Sequence, residues 1–310
     1  MILTITKCHG SNNEFFIIDE TKCIEILNPG KRKKMAIRLC DRTNELGGSD
    51  GLLFYQDFRN EDCRMLMYNP DGSEAQMCGN GMRCFARYAS EKLSKTDLVI
   101  QTQQAALNVK KVADIRDGIP TFETEIEPVS FSPDTISSFL NSPLIDAPYP
   151  GFFEPQSFTA ISVPNPHLIF FVTDLDEALL RRLGESANQD KVRFSQGINV
   201  SMVRQDSDRE LTVWTYERGA GLTNACGTAM SASTYVAAEL ARVSFDADII
   251  VNNRGEAVRC RAVQEPKPKI YLAGNATFLF EARINMTDTV QIISCRPLDS
   301  DNEGCKKSSS

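Results

Sequence analysis

The 310-residue sequence has little of what marks several common functional classes. It contains two histidines and one tryptophan. No apolar run approaches the roughly 18 residues that a membrane-spanning helix needs, and the apolar stretch at the N-terminus is too short for a signal peptide. The net charge of -7 has the wrong sign for general binding to nucleic acid or to an anionic membrane surface. We therefore expect a cytoplasmic protein without nucleic-acid or membrane partners.

Motifs for nucleotides, serine nucleophiles and metals are also missing. The sequence has no GxGxxG or Walker pattern and no GxSxG elbow. Its ten cysteines form no paired CxxC sets, and the nearest pair, Cys78 and Cys84, has no second half. We expect no metal site, and we expect the cysteines of a cytoplasmic protein to be reduced.

The order of predicted elements occurs twice along the chain. Apolar periodicity predicts strands near 15–19, 51–55, 64–68, 97–101, 106–113, 121–126, 168–172, 197–203, 210–216, 247–252, 256–263 and 277–284. It predicts helices near 31–40, 80–93, 174–184 and 228–241. The stretch 128–157 is rich in Pro, Ser and Asp, and this composition is typical of a linker.

Two cysteines occupy equivalent places in the two halves. Cys78 and Cys226 are each followed by glycine and a small-residue helical pattern, and the same offset of 148 residues aligns Tyr68 with Tyr216. We predict an α/β (α+β) fold of two pseudo-symmetric domains, each with mixed or antiparallel strands around a central helix, and an active-site cleft between them. The predicted boundaries are 1–120 with about 273–296, then 121–272, with a disordered tail at 297–310.

A cysteine at a helix start suits acid–base chemistry next to a carboxylate. Unpaired amides and a partial positive charge favour both a bound carboxylate and a thiolate, so they are expected to lower the thiol pKa below about 8.5. Gly79 and Gly227 allow a ligand to approach the backbone closely. Two such thiols across one cleft predict stereoinversion, in which one removes an α-hydrogen and the other delivers a proton to the opposite face.

The segments around both cysteines resemble the diaminopimelate epimerase family. The stretches NPDGSEAQMCGNGMRC (69–84) and YERGAGLTNACGT (216–228) are similar to its two long signatures. HGSNNEF (9–15), PNPH (164–167) and GIN (197–199) are similar to three shorter motifs, and the match covers roughly residues 1–290. The resemblance implies a cofactor-independent epimerase, often homodimeric, that interconverts LL- and meso-diaminopimelate on the route to lysine and peptidoglycan without pyridoxal phosphate.

The resemblance also implies roles for individual residues. Cys78 and Cys226 are the acid–base thiols, and His167 and Glu217 assist them. The amide groups that hold the substrate carboxylate belong to Gly79, Asn80, Gly227 and Thr228. The remaining substrate contacts are Asn13, Asn69, Asn165, Asn199, Glu217 and Arg218. A second substrate carboxylate would suit the Arg218 fork.

Three positions depart from the family pattern, and two alternative functions stay open. Asn12 and Ala229 replace glycines, and Leu222 replaces a glutamate, so substrate selectivity can differ from that of the family. One alternative is a related racemase with broader or different substrates, of the proline or hydroxyproline type. Those relatives carry histidine at the position of Asn80, so the asparagine favours diaminopimelate. The other alternative is a non-catalytic ligand-binding or redox-sensing protein.

Overall fold

The computed structural model describes residues 1–75, 78–137, 139–149, 151–287 and 289–299. Within these residues the helices are α1 (Pro29–Leu39), α2 (Gly79–Leu93), α3 (Glu177–Gln189) and α4 (Gly227–Glu239), with short 3-10 helices at Glu20–Lys22 and Pro133–Thr135. The strands are β1 (Ile2–Gly10), β2 (Asn13–Asp19), β3 (Gly51–Gln56), β4 (Cys63–Tyr68), β5 (Glu74–Ala75), β6 (Asp97–Gln101), β7 (Ala106–Val112), β8 (Thr121–Ile126), β9 (Ala147–Tyr149), β10 (Phe152–Ser162), β11 (Pro166–Val172), β12 (Asn199–Ser207), β13 (Glu210–Glu217), β14 (Gly221–Thr223), β15 (Ile249–Asn252), β16 (Val258–Val263), β17 (Lys269–Asn275), β18 (Thr277–Met286) and β19 (Val290–Pro297).

The chain forms two compact units. The first consists of Met1–Thr124 together with the chain from Gly274 onward, and the second is Glu125–Ala273. The sequence placed the corresponding boundaries at 120/121 and about 272/273.

The two units share one topology. In the first, β1 and β2 are antiparallel, β2 and β3 parallel, β3 and β4 antiparallel, and β4 pairs with β5 and β6. In the second, the six strands β10 to β15 repeat these five pairings with the same orientations. Helices α1 and α3 lie in the crossovers of the parallel pairs β2–β3 and β11–β12, and helices α2 and α4 lie in those of β4–β6 and β13–β15. The predicted α/β class with two pseudo-symmetric domains is confirmed.

The second helix of each unit is central and buried. Every residue of the α4 stretch Ala229–Ala238 is buried, and α2 is buried over most of its length. A helix that is apolar or small-sided all round has no face suited to water, so it belongs in a core. Helix α2 packs among strands of the first unit and α4 among strands of the second. Their first turns are therefore held in fixed positions.

Helix capping distinguishes these central helices from the other two. Asn28 accepts a hydrogen bond from the Lys31 amide at the start of α1, and Asp176 accepts one from the Leu179 amide at the start of α3. Cys78 and Cys226 precede α2 and α4 and make no side-chain capping bond. The first-turn amides of α2 and α4 therefore keep the capacity to bind a ligand.

The linker interpretation of 128–157 is wrong from Ala147 onward. This stretch contains β9 and the first half of β10. Tyr149, Phe152 and Phe158 form aromatic contacts with one another and with Phe194. Burial of these rings stabilises strands that the Pro-rich composition disfavours.

The predicted tail begins too early. Strand β19 extends to Pro297 and pairs with β18. Asp299 then accepts hydrogen bonds from both terminal nitrogens of Arg87, at 2.6 and 2.9 Å. This bidentate ion pair holds the chain beyond the strand. Residues 300–310 of the predicted tail lie outside the described residues.

The cysteines largely follow expectation. Eight are free: Cys8, Cys23, Cys40, Cys63, Cys78, Cys84, Cys226 and Cys260. Cys295 is disulfide-bonded, so the expectation of a fully reduced set is wrong there.

Over the part of the chain that the structure describes, no helix is long and apolar enough to span a membrane. The same residues contain no cluster of three or more His, Cys, Asp or Glu side chains suited to a metal ion.

Candidate active site

In the first unit, Cys78 is the N-cap of α2. Its backbone is extended, with φ -137° and ψ 120°, and its carbonyl accepts a 2.8 Å hydrogen bond from the Met82 amide. Gly79 and Asn80 form the first helical positions. The Asn13 side-chain amide donates to Cys78 Sγ at 3.9 Å. Asn13 Oδ1 is buried and has no hydrogen-bond partner among the described residues, so it is suited to contact a ligand.

The pKa of Cys78 departs from the sequence expectation. Burial raises the pKa of its thiol, and this outweighs the backbone amides of Gly81 and Asn80 and the charge of Arg83, which lower it. The expectation of a lowered pKa is therefore wrong in its net direction. The free-energy cost of desolvating the thiolate is larger than the stabilisation that the amides at the helix start provide. A thiolate formed at this site is correspondingly a strong base.

Two other predicted residues of this unit have side chains engaged elsewhere. Asn69 lies in the β4–β5 turn, where it donates to Ser73 Oγ at 3.0 Å. Asn80 is buried, and its side-chain oxygen accepts a 3.0 Å hydrogen bond from Arg83. Among the described residues, Asn69 makes no hydrogen bond to the sulfur of Cys78. Asn80 interacts with this sulfur through its backbone amide.

In the second unit, Cys226 occupies the same position at the start of α4. Its backbone is again extended, with φ -128° and ψ 109°. Gly227 and Thr228 follow, and Thr228 Oγ1 lies 3.5 Å from Cys226 Sγ. Burial raises the pKa of Cys226 strongly, and the Glu217 carboxylate raises it further. Glu217 is oriented by Thr223, whose hydroxyl donates to its carboxylate at 2.5 Å. Burial and Glu217 therefore both favour the protonated form of this thiol.

A second group of polar residues is built on β11 and β12. His167 and Asn199 are register partners in this parallel pair. His167 Nε2 lies 3.0 Å from Asn165 Oδ1 and 3.5 Å from Asn199 Nδ2. Asn199 Oδ1 in turn accepts the Arg218 amide at 2.9 Å. The structure thus connects four of the predicted site residues directly.

His167 is fully buried and uncharged. Burial first, and then the nearby charge of Arg218, lower its pKa from 6.5 to about 3. The shorter contact with Asn165 Oδ1 is consistent with a proton on Nε2. Nδ1 is then a buried acceptor, and it has no hydrogen-bond partner in the described part of the chain. His167 can orient neighbours or accept a hydrogen bond, but it does not carry a positive charge near neutral pH.

Arg218 lines an accessible cavity of the second unit. The cavity measures about 330 Å³, and its lining includes Pro166, Gln196 and Gly197. The Arg218 guanidinium reaches the Gln196 carbonyl at 3.5 Å. Its planar fork is suited to a carboxylate.

The three unusual positions have distinct structural settings. Asn12 has φ +63°, a conformation that favours glycine but that asparagine tolerates. Leu222 pairs with Tyr216 across β13 and β14 and packs against an apolar cluster. Ala229 is fully buried in α4.

Sequence reasoning missed two supporting residues. Arg83 is fully buried beside the start of α2, and Thr223 orients Glu217. The available signal for Arg83 was a charged residue in the first half of a small-residue helix, five positions after Cys78. Thr223 carried no distinctive signal.

The fold places this chain in a known structural class. A Bacillus anthracis phenazine biosynthesis protein of the PhzF family superimposes with a TM-score of 0.65 at 16% identity, covering 92% of this chain and 100% of that one. A hydroxyproline epimerase from Agrobacterium vitis superimposes with a TM-score of 0.60 at 13% identity, covering 98% and 94%. The chain has the two-domain fold that these proteins share.

Sequence comparison defines the family. The diaminopimelate epimerase family model matches residues 5–117 and 159–279. The diaminopimelate epimerase of Listeria welshimeri is 39% identical over 297 residues, which cover 93% of this chain and 90% of that protein. The chain belongs to the diaminopimelate epimerase family.

Proposed function

We propose that the protein is a diaminopimelate epimerase, which interconverts the LL and meso isomers by proton transfer at the α-carbon. The observation that carries the proposal is the repeated placement of a cysteine at the start of a buried central helix, once in each unit. The chain also shares 39% identity with a relative of that name over nearly its full length.

The proposed reaction uses the thiols as a pair. One thiolate takes the α-hydrogen as a proton, so that the C–H bond breaks, an S–H bond forms and the electron pair stays on the substrate. The other thiol then donates its proton to the opposite face of the same carbon. The amides of Gly79, Asn80, Gly227 and Thr228 are proposed to hold the adjacent carboxylate, where negative charge develops. The raised thiol pKa values support this chemistry, because a more basic thiolate is better matched to a weakly acidic C–H bond.

Glu217 and His167 are proposed to assist without forming bonds to the α-carbon. Glu217 favours the protonated form of Cys226 and so prepares it to donate. His167 donates to Asn165 and stays neutral, and the Arg218 amide holds Asn199. This role requires no change in its charge during turnover.

Substrate recognition is proposed to depend on a second carboxylate. Arg218 would pair with it, which its place on the cavity wall supports. The other proposed contacts are Asn13, Asn69, Asn165, Asn199 and Glu217. A substrate with two amino-acid ends supplies both a carboxylate and an ammonium group for this set, whereas proline supplies only one end.

Four further properties belong to the same proposal. We propose that the enzyme uses no cofactor or metal, acts on a small-molecule amino acid, works in the cytoplasm and forms a homodimer. Light scattering of the purified protein tests the dimer, and a mass equal to one chain would contradict it.

The activity is tested by isomer conversion. Purified reduced protein is incubated with LL-diaminopimelate, without added cofactor, and the meso isomer is followed by chiral chromatography. L-proline and trans-4-hydroxy-L-proline are run in parallel. Formation of meso-diaminopimelate alone supports the proposal. Racemisation of the proline substrates alone identifies the alternative enzyme, and no conversion by folded protein contradicts both.

A further inference from the structure

A fully buried arginine lies beside the thiol of the first unit. Arg83 is on α2, five residues after Cys78, and its side chain is excluded from solvent. Its Nη2 donates to Ser11 Oγ at 3.1 Å and to Asn80 Oδ1 at 3.0 Å. Its Nε donates to the Asn275 carbonyl at 3.2 Å. A guanidinium is costly to bury, so three well-formed bonds from three chain segments indicate a specific role.

Two glycines lie against this guanidinium. A Cβ atom added at Gly274 would lie 2.7 Å from Arg83 Nε and 2.8 Å from Cζ. A Cβ atom added at Gly10 would lie 2.9 Å from the Asn80 carbonyl and 3.2 Å from Arg83 Nη2. Side chains at these two positions would displace the arginine or the helix start, so both glycines are part of its binding site.

The bonds of Arg83 connect the two segments that contact Cys78. Ser11 and Asn12 form the tip of the β1–β2 hairpin with φ values of 52° and 63°. Asn13, the next residue, donates to the sulfur. Asn80 directs its backbone toward the same sulfur from α2. Through Ser11 and Asn80, one guanidinium nitrogen therefore fixes the groups on two sides of the thiol.

The charge of Arg83 acts on the same thiol. It lowers the pKa of Cys78, whereas Cys84 on the same helix raises it. From β1, Cys8 interacts with Cys84. From β2, Glu14 is neutralised by ion pairs with Lys7 and Arg42. Arg83 is thus the positive charge that counters burial at this sulfur.

We propose that Arg83 is a positioning residue for Cys78: its hydrogen bonds fix the hairpin tip and the helix start that contact the sulfur, and it places a buried positive charge on the same helix. The inference rests on the proposed function only in assigning Cys78 to proton transfer. Its test reads the thiol directly and needs no turnover.

The experiment measures the rate of Cys78 alkylation by iodoacetamide as a function of pH, resolved from the other cysteines by peptide mass spectrometry. In Arg83→Gln, we expect the midpoint of the profile to move upward by about one pH unit, which makes alkylation about tenfold slower below the midpoint. Arg83→Lys retains the charge but loses the guanidinium fork, so we expect an upward shift that is smaller than in Arg83→Gln. Arg87→Gln is the matched control. It removes a buried guanidinium one helical turn later, which is paired with Asp299, and it should leave the Cys78 profile unchanged.

An unshifted profile in folded Arg83→Gln overturns the inference, and so does an equal shift in Arg87→Gln. If Arg83→Gln does not fold, Ser11→Ala decides the matter, because it removes the bond from Nη2 to the hairpin tip. Slower alkylation of Cys78 at a fixed pH then supports the inference, and an unchanged profile overturns it. Failure of the proposed function would instead appear as a parent protein that forms no epimerised product.

Discussion

The buried, neutral His167 gives the protein a specific sensitivity to acid. Its pKa is about 3 in the folded protein and 6.5 in its ordinary state, because burial and Arg218 disfavour the charged ring. Between these values the unfolded chain binds a proton that the folded protein does not bind. Stability therefore rises with pH in this window and is lost as the pH falls below 6.5.

The size of the effect follows from the shift. At pH 5 the histidine is mostly protonated in the unfolded chain and neutral in the folded protein. This pH lies about 1.5 pH units below the ordinary pKa of 6.5, which corresponds to about 2 kcal/mol of lost folding stability. His167→Gln keeps a polar side chain of similar reach but does not titrate. Between pH 7 and pH 5, the parent is therefore expected to lose about 2 kcal/mol more than this variant.

The assay is urea denaturation followed by the fluorescence of the single tryptophan. Trp214 lies on β13, in the same unit as His167. His9→Gln changes the only other histidine and keeps His167, so it is expected to retain the acid sensitivity of the parent. Equal losses of stability in the parent and in His167→Gln would refute a neutral, desolvated ring.

Two further perturbations test the second unit. Glu217→Gln removes the charge that disfavours the Cys226 thiolate, so iodoacetamide should alkylate Cys226 about tenfold faster at a fixed pH; an unchanged or slower rate would contradict this electrostatic role. Gly184→Ala would place a Cβ atom 2.2 Å from Cγ of Tyr216, so we expect a loss of about 2 kcal/mol in urea denaturation even after the gain in helix propensity; undiminished stability would show that the contact relaxes freely.

The helices and the repeat were predictable because their signals are local. The predicted helix 80–93 agrees with α2 to within one residue at its start. The small residues that follow the second Cys-Gly step likewise predicted the helix at 228–241, which corresponds to α4. Strands β17 and β19 were not predicted, because they depend on pairing with neighbouring strands. Periodicity within a short segment does not report such pairing.

The site was predictable in composition but not in electrostatics. The sequence placed Cys78 and Cys226 at helix starts, and the structure agrees. It also led to an expected fall in thiol pKa, which is wrong because both sulfurs are desolvated. Burial depends on the whole fold, so a motif alone cannot determine the balance between helix amides and desolvation. The burial of Arg83 likewise depends on contacts with Ser11 and Asn275, which are distant in the chain and which the motif does not reveal.

We propose above that the two thiols act on opposite faces of one carbon. The most direct test follows the first turnovers of LL-diaminopimelate in deuterated water and measures α-deuterium separately in the product and in the recovered substrate. Two bases predict meso product that carries solvent deuterium while the recovered LL isomer stays largely unlabelled, and loss of all product in Cys78→Ala and in Cys226→Ala. Product that retains its original α-hydrogen, or full activity in either variant, would contradict the two-thiol account.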